Sequence, residues 1–181
     1  MDLTPRGSLV WKLLAPAGRL TIMPRAPGRQ LHPRIVNERS FIFWLGLEIE
    51  KARRLRYCMS VLSMSPDGFD RQATGSLQRI AALAADATRA TDLLVVRPPD
   101  SVAMMIIDGD LSSLATILKR VSLAVQIFFQ GNGEGRPEVT WSAGGACFPT
   151  AVAEAQRIFN QAVDLMTAAR RDGGNRLYLP I

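Results

Sequence analysis

The sequence predicts an α/β domain in which helices cover a central, mainly antiparallel sheet. Segments with helical spacing alternate with short apolar runs from about residue 35 onward. Two of those runs, Leu93–Val96 and Val102–Ile107, are separated only by Arg97-Pro98-Pro99-Asp100-Ser101, the outline of a hairpin. A content of 48% hydrophobic and 21% charged residues is that of a globular protein, and 181 residues suffice for one sizeable core but not two.

Each element has its own signal. Asn37 is an N-cap for a helix whose Phe41, Leu45, Glu48 and Ala52 recur at helical spacing, with Arg53 and Arg54 near its end. Tyr57 to Met64 is short and apolar, and Ser65-Pro66-Asp67-Gly68 closes it, so it reads as a buried strand and a turn. A second helix is expected from Thr74 to Ala90, with Leu77, Ile80, Leu83, Ala84 and Ala87 on one face. After the hairpin, Leu111 to Phe129 is a third amphipathic helix, and Gln130-Gly131-Asn132-Gly133 ends it. Val139 to Phe148 is a strand rich in small residues, Ala151 to Arg171 a last helix, and Arg176 to Leu179 a terminal strand. That order of elements is an α/β layering. Met59, Met64, Met104 and Met105 fall on apolar strands and are expected in the core.

Residues 1–34 differ. Six basic residues (Arg6, Lys12, Arg19, Arg25, Arg29 and Arg34) face only Asp2, a surplus of five out of the chain's formal charge of +6. Five prolines and three glycines interrupt the stretch, so a flexible leader is expected there and a domain over 35–181. Trp11, Leu13 and Leu14 offer it a docking point. A basic leader on a near-neutral domain argues against nucleic acid as the partner. The apolar run Phe41–Leu47 is far shorter than the roughly 20 residues of a membrane span. Lys12 interrupts the only signal-like stretch, so no span is expected and the cytoplasm is the expected compartment. Cys58 and Cys147 have no metal spacing and are expected as core thiols; one histidine, His32, builds neither a metal site nor a triad. No cofactor is expected. Arg53, Arg54 and Arg56 read as a solvated basic face, and Gly131 to Gly135 as a turn without the lysine of a phosphate loop.

Four motifs in order then resemble one family. Asp92, five residues, the pentapeptide Pro98-Pro99-Asp100-Ser101-Val102 and an apolar strand have the register of the GGDEF signature of diguanylate cyclases. Val139-Thr140-Trp141-Ser142-Ala143-Gly144-Gly145-Ala146 resembles that family's V-T-x-S-x-G-x-A strand. Ala169 to Asn175 resembles its A-K-x-x-G-R-N ending, and Asn37 to Phe41 its N-R-R-x-F opening. The resemblance spans residues 35–181 and implies a GGDEF/adenylyl-cyclase-like palm with a ferredoxin-like core.

It also implies that the reaction is lost. In the family, metal ions held by carboxylates on adjacent strands bind the triphosphate. By this resemblance the metal-binding aspartate falls at Ser63 and its partner position at Ser65; Asp100 remains alone, and the acid after it is Ser101. The two glycines that let the backbone approach phosphate are Pro98 and Pro99, which remove both N–H donors. The base-reading segment between Phe69 and Thr74 is about eight residues short by that alignment, and its later aspartate is Thr74. The phosphate-contacting lysine becomes Arg170 and the following arginine Gly174. The expectation is therefore no diguanylate cyclase activity.

Arg89-Ala90-Thr91-Asp92 matches the family's RxxD inhibitory site, which implies binding of a cyclic di-GMP dimer by Arg89 and Asp92, with Arg120 where members supply another arginine. Arg89 and Asp92 equally fit a surface ion pair worth about 0–1 kcal/mol, and Arg120 a solvated helical residue. Two functions stay open: a cyclic di-GMP receptor passing its signal to another signalling protein or a homodimer, or a nucleotide-independent interaction module. A third reading assigns the leader to nucleic acid or anionic membrane.

Overall fold

A computed structural model of the chain describes residues 32–68, 74–131, 139–150 and 154–180. The expectations for residues 1–31, for 69–73, for the turn at 132–138 and for a helix start at Ala151 lie outside the described residues.

Ten elements follow in order: β1 Ile35–Val36, α1 Glu38–Leu55, β2 Met59–Pro66, α2 Thr74–Asp86, β3 Leu93–Arg97, β4 Ser101–Ile107, α3 Leu111–Gly131, β5 Trp141–Phe148, α4 Ala155–Arg171 and β6 Arg176–Tyr178. The sheet order is β1-β3-β4-β2-β5-β6. The four inner strands pair antiparallel, and the short edge strands β1 and β6 pair parallel with β3 and β5. The expected α/β class and mainly antiparallel sheet are thus present.

β2 lies at the centre and is buried along all eight residues. Its alternation splits the core, because successive side chains point to opposite faces. Leu62 and Met64 join Leu94, Met104, Leu114 and Val121 under α2 and α3. Met59 and Val61 join Phe41, Leu45, Met105 and Phe159 under α1 and α4. All four expected core methionines are buried. Cys147 is buried and Cys58 half-buried, both free thiols.

Several boundaries differ from expectation: β2 runs on through Ser65 and Pro66, which pair with Ser142 and Trp141 of β5, and three others shift for local reasons. Val36 and Ile35 pair with Val95 and Leu94, a two-residue strand with no periodicity to announce it. α2 ends at Asp86 rather than Ala90: the Thr88 hydroxyl donates back to the Ala84 carbonyl (2.9 Å), and the Arg34 guanidinium takes the carbonyls of Ala85 and Arg89. Arg56, with φ of 59°, caps α1 through its N–H to the Ala52 carbonyl, so β2 starts two residues later than Tyr57. On composition, α3 is the one helix among the described residues long and apolar enough to cross a membrane. Here it lies against the sheet, with Leu114, Val121 and Val125 fully buried.

Candidate functional site

The tip of the β3–β4 hairpin, the end of β2 and the end of α4 enclose a cleft of about 430 Å³, lined by Pro66, Asp67, Gly68, Asp100, Arg170 and Gly174 among others. Ser63 and Ser65 share one face of β2 and are fully buried. Ser63 Oγ donates to Met166 Sδ (3.2 Å), an apolar packing environment rather than a ligand position. Ser65 Oγ donates to the Asp100 carbonyl (2.7 Å) and accepts from Arg170. Arg170 Nη1 also donates to Asp100 Oδ2 at 3.1 Å, and the two side chains are 33% and 13% exposed. The guanidinium therefore engages both the surviving carboxylate and the serine opposite it. A cation in that contact opposes a second cation at Asp100.

Pro98 and Pro99, joined by a cis peptide, are exposed at the hairpin tip, and Ser101 Oγ donates to the Arg97 carbonyl. Thr74 opens α2, and its side chain lies outside the described residues. The described residues contain no group of three or more His, Cys, Asp or Glu able to hold a metal. The donor set that the fold family would need does not fit this cleft: Ser63 and Ser65 offer only neutral hydroxyls, the Asp100 carboxylate is ion-paired with Arg170, and the Asp67 carboxylate is taken up by Thr140, Ser142 and the Asn175 N–H.

One cleft residue had no functional signal in the sequence beyond a Pro-Asp-Gly turn. The Asp67 carboxylate accepts from Thr140 Oγ1 (3.0 Å), Ser142 Oγ (2.5 Å) and the Asn175 N–H (2.8 Å). It ties β2, β5 and the α4–β6 turn together. Gly174, with φ of +75°, sits so close that a Cβ would meet the Asp67 carboxyl at 2.8 Å. The glycine where the resemblance expected an arginine thus has a packing reason. We predict that Asp67→Ala lowers stability by about 3 kcal/mol, from three lost hydrogen bonds, in urea unfolding.

A second cavity, of about 220 Å³, gathers Arg89, Asp92, Asp108, Gly109, Thr116 and Arg120. Arg89 follows the end of α2, Arg120 comes from the middle of α3, and the two are 31 positions apart in the chain. Both guanidinium-bearing residues are exposed. Asp92 differs: it is 1% exposed, and its carboxylate accepts the Arg89 N–H (2.9 Å) and the Ile107 N–H (3.3 Å). Burial pushes its carboxyl above the usual carboxylate range, while the two N–H bonds and the charges of Arg89 and Arg34 pull the other way. What Asp92 accepts from Arg89 is the main-chain N–H, so neither a surface ion pair nor a free ligand-facing carboxylate describes it. It fixes the turn that presents Arg89.

Beside it, Asp108 adopts a left-handed φ of 52° and brings an exposed carboxylate to the same cavity. Asp110 accepts from Ser112 Oγ and the Ser113 N–H at the start of α3, which holds its carboxyl below the usual range. Elsewhere, Arg53 pairs with Glu50 on the solvated face of α1, and His32 pairs with Asp86.

No protein-family model matches the sequence, and no curated protein matches it. Solved structures do match. The GGDEF domain of YfiN (TpbB) from Pseudomonas aeruginosa is 19% identical, with a TM-score of 0.68 over 81% of this chain and 96% of that one. An active GGEEF domain of a Vibrio cholerae diguanylate cyclase gives 17% identity and a TM-score of 0.64, over 79% and 96%. The GGDEF domain of DgcB from Caulobacter crescentus, solved in complex with c-di-GMP, gives 16% and 0.62, over 91% and 98%. The fold is that of GGDEF domains.

Proposed function

We propose that this chain is a non-catalytic GGDEF-type domain in cyclic di-GMP signalling, and that it binds cyclic di-GMP at the Arg89–Arg120 cavity as a receptor. The observation that carries the reading is the convergence of Arg89, from the turn after α2, and Arg120, from the middle of α3, on one cavity. The similar DgcB domain in complex with c-di-GMP supports the ligand's identity. A guanidinium suits such a ligand, because its planar fork holds a phosphate or a guanine edge through two parallel N–H bonds and stacks on the base. Asp92 takes a different part from the one its motif implies. Through two backbone N–H groups it holds the turn in which Arg89 sits.

The loss of cyclase chemistry rests on the cleft. Arg170 occupies Asp100, Ser63 is packed on Met166, and prolines stand where the hairpin would approach a phosphate. In this reading the bound nucleotide is sensed and not made, and the signal passes to another signalling protein or through a homodimer.

Calorimetric titration of the full chain with cyclic di-GMP tests the receptor. Binding is expected in the micromolar range, and Arg89→Ala and Arg120→Ala should each weaken it by about 10–100-fold, the worth of one charge-assisted contact. Absence of heat from the folded wild type would overturn it in favour of a nucleotide-independent interaction module. Incubation with GTP and magnesium should yield no cyclic di-GMP, and measurable product would refute the inactivity.

A further inference from the structure

α1 carries a second apolar face beside its buried one. Phe41, Leu45, Ile49 and Ala52 are buried against the sheet. Beside them Phe43, Trp44, Leu47 and Leu55 are 61%, 49%, 48% and 56% exposed, four of the six large apolar side chains exposed among the described residues. Their spacing of three, four and eight residues gathers them on the outer surface of the helix, with exposed Lys51 and Arg54 between them. Phe43 and Trp44 stand edge to face at 5.6 Å, a paired aromatic tip on a convex ridge. Glu48 and Glu50 are engaged by Lys51 and Arg53 of the same helix, and Arg54 is a further exposed cation on the face.

We infer that this face of α1 docks on the surface of an anionic lipid bilayer. A second copy of the chain would bring an identical convex ridge, net basic with Lys51, Arg53 and Arg54 against Glu48 and Glu50, and neither ridge offers a groove to receive the other. An anionic bilayer supplies the opposite charge. It also accepts aromatic and leucine side chains at the headgroup boundary, and it needs no groove to receive a ridge. Residues 1–31 add a surplus of four positive charges by composition, which the same surface attracts.

Co-sedimentation of the full chain with phosphatidylcholine vesicles, with and without phosphatidylglycerol, tests this. Binding is expected only with phosphatidylglycerol, with a blue shift of tryptophan emission that Trp44→Phe removes. Phe43→Ser with Trp44→Ser should weaken binding at least tenfold, and Arg54→Gln about fivefold, as one basic side chain contributes about 1 kcal/mol near such a surface. Leu47→Gln provides the same readout should the double variant unfold. Equal binding to uncharged vesicles overturns the proposal. So does undiminished binding of these variants, which would assign the attraction to residues 1–31. Self-association without lipid that the same substitutions abolish would assign the face to a second copy and overturn it as well.

Discussion

Gly144→Ala is expected to lower the melting temperature by about 10 °C, or to leave the chain insoluble. Gly144 lies in β5 between Ser63 of β2 and Tyr178 of β6, so the strand cannot swing aside without breaking two ladders. α4 crosses directly over it. A Cβ would stand 2.2 Å from the Met166 nitrogen, 2.3 Å from the Ala162 carbonyl oxygen and 2.7 Å from the Leu165 carbonyl carbon. All three are backbone atoms, and no rotamer relieves them. The helix is itself pinned by Ile158, Phe159, Ala162 and Met166, all buried. Overpacking of this kind costs about 3 kcal/mol, and each kcal/mol lowers the melting temperature by about 2–4 °C in a domain of this size. Gly145→Ala provides the control. There the Cβ would meet the ends of Leu114 and Leu179 at 2.4 and 2.7 Å, side chains that can turn away, so about 1 kcal/mol is expected. Thermal unfolding of the two variants side by side checks the claim, and equal losses would refute a backbone-limited contact.

The contrast explains what was legible in the sequence. Hydrophobic periodicity located the four helices and the inner strands, because burial on one face leaves a repeating trace. The antiparallel sheet followed from the hairpin and from motif order. β1 escaped because two residues carry no period. The true end of α2 escaped because it depends on Thr88 and on the distant Arg34, and spacing cannot show a guanidinium arriving from elsewhere.

The candidate sites divided in the same way. The prolines, serines and glycine of the cleft were readable letter by letter, and Arg89 and Arg120 do meet at one cavity. Asp67 was invisible, since its three partners lie 73 to 108 positions away. Asp92 was visible only through its motif. Its motif implies a ligand contact, and what spacing could not show is its burial and its two backbone N–H partners, which fit the positioning role proposed for it.

That role makes Asp92→Ala a sharper test than an ordinary binding variant. Removing the carboxylate leaves the Arg89 and Ile107 N–H groups without their acceptor where β3 begins beside the end of β4, at a cost of about 2–4 kcal/mol. Urea unfolding should show that loss with no ligand present, whereas Arg89→Ala, at an exposed side chain, should change stability by less than about 0.5 kcal/mol. Acidity gives an independent signature. Burial raises the folded-state carboxyl of Asp92 above its unfolded value, so the folded protein binds that proton more tightly. Its contribution is then largest below the unfolded pKa and is lost as pH rises through the folded one. The stability of the wild type relative to Asp92→Asn, which has no such proton, should therefore increase from pH 7 toward pH 4. A decrease over that window would mean that hydrogen bonds to the ionised carboxylate outweigh its burial. Equal stability of Asp92→Ala and wild type would return the residue to the ligand-contacting part that its motif suggests.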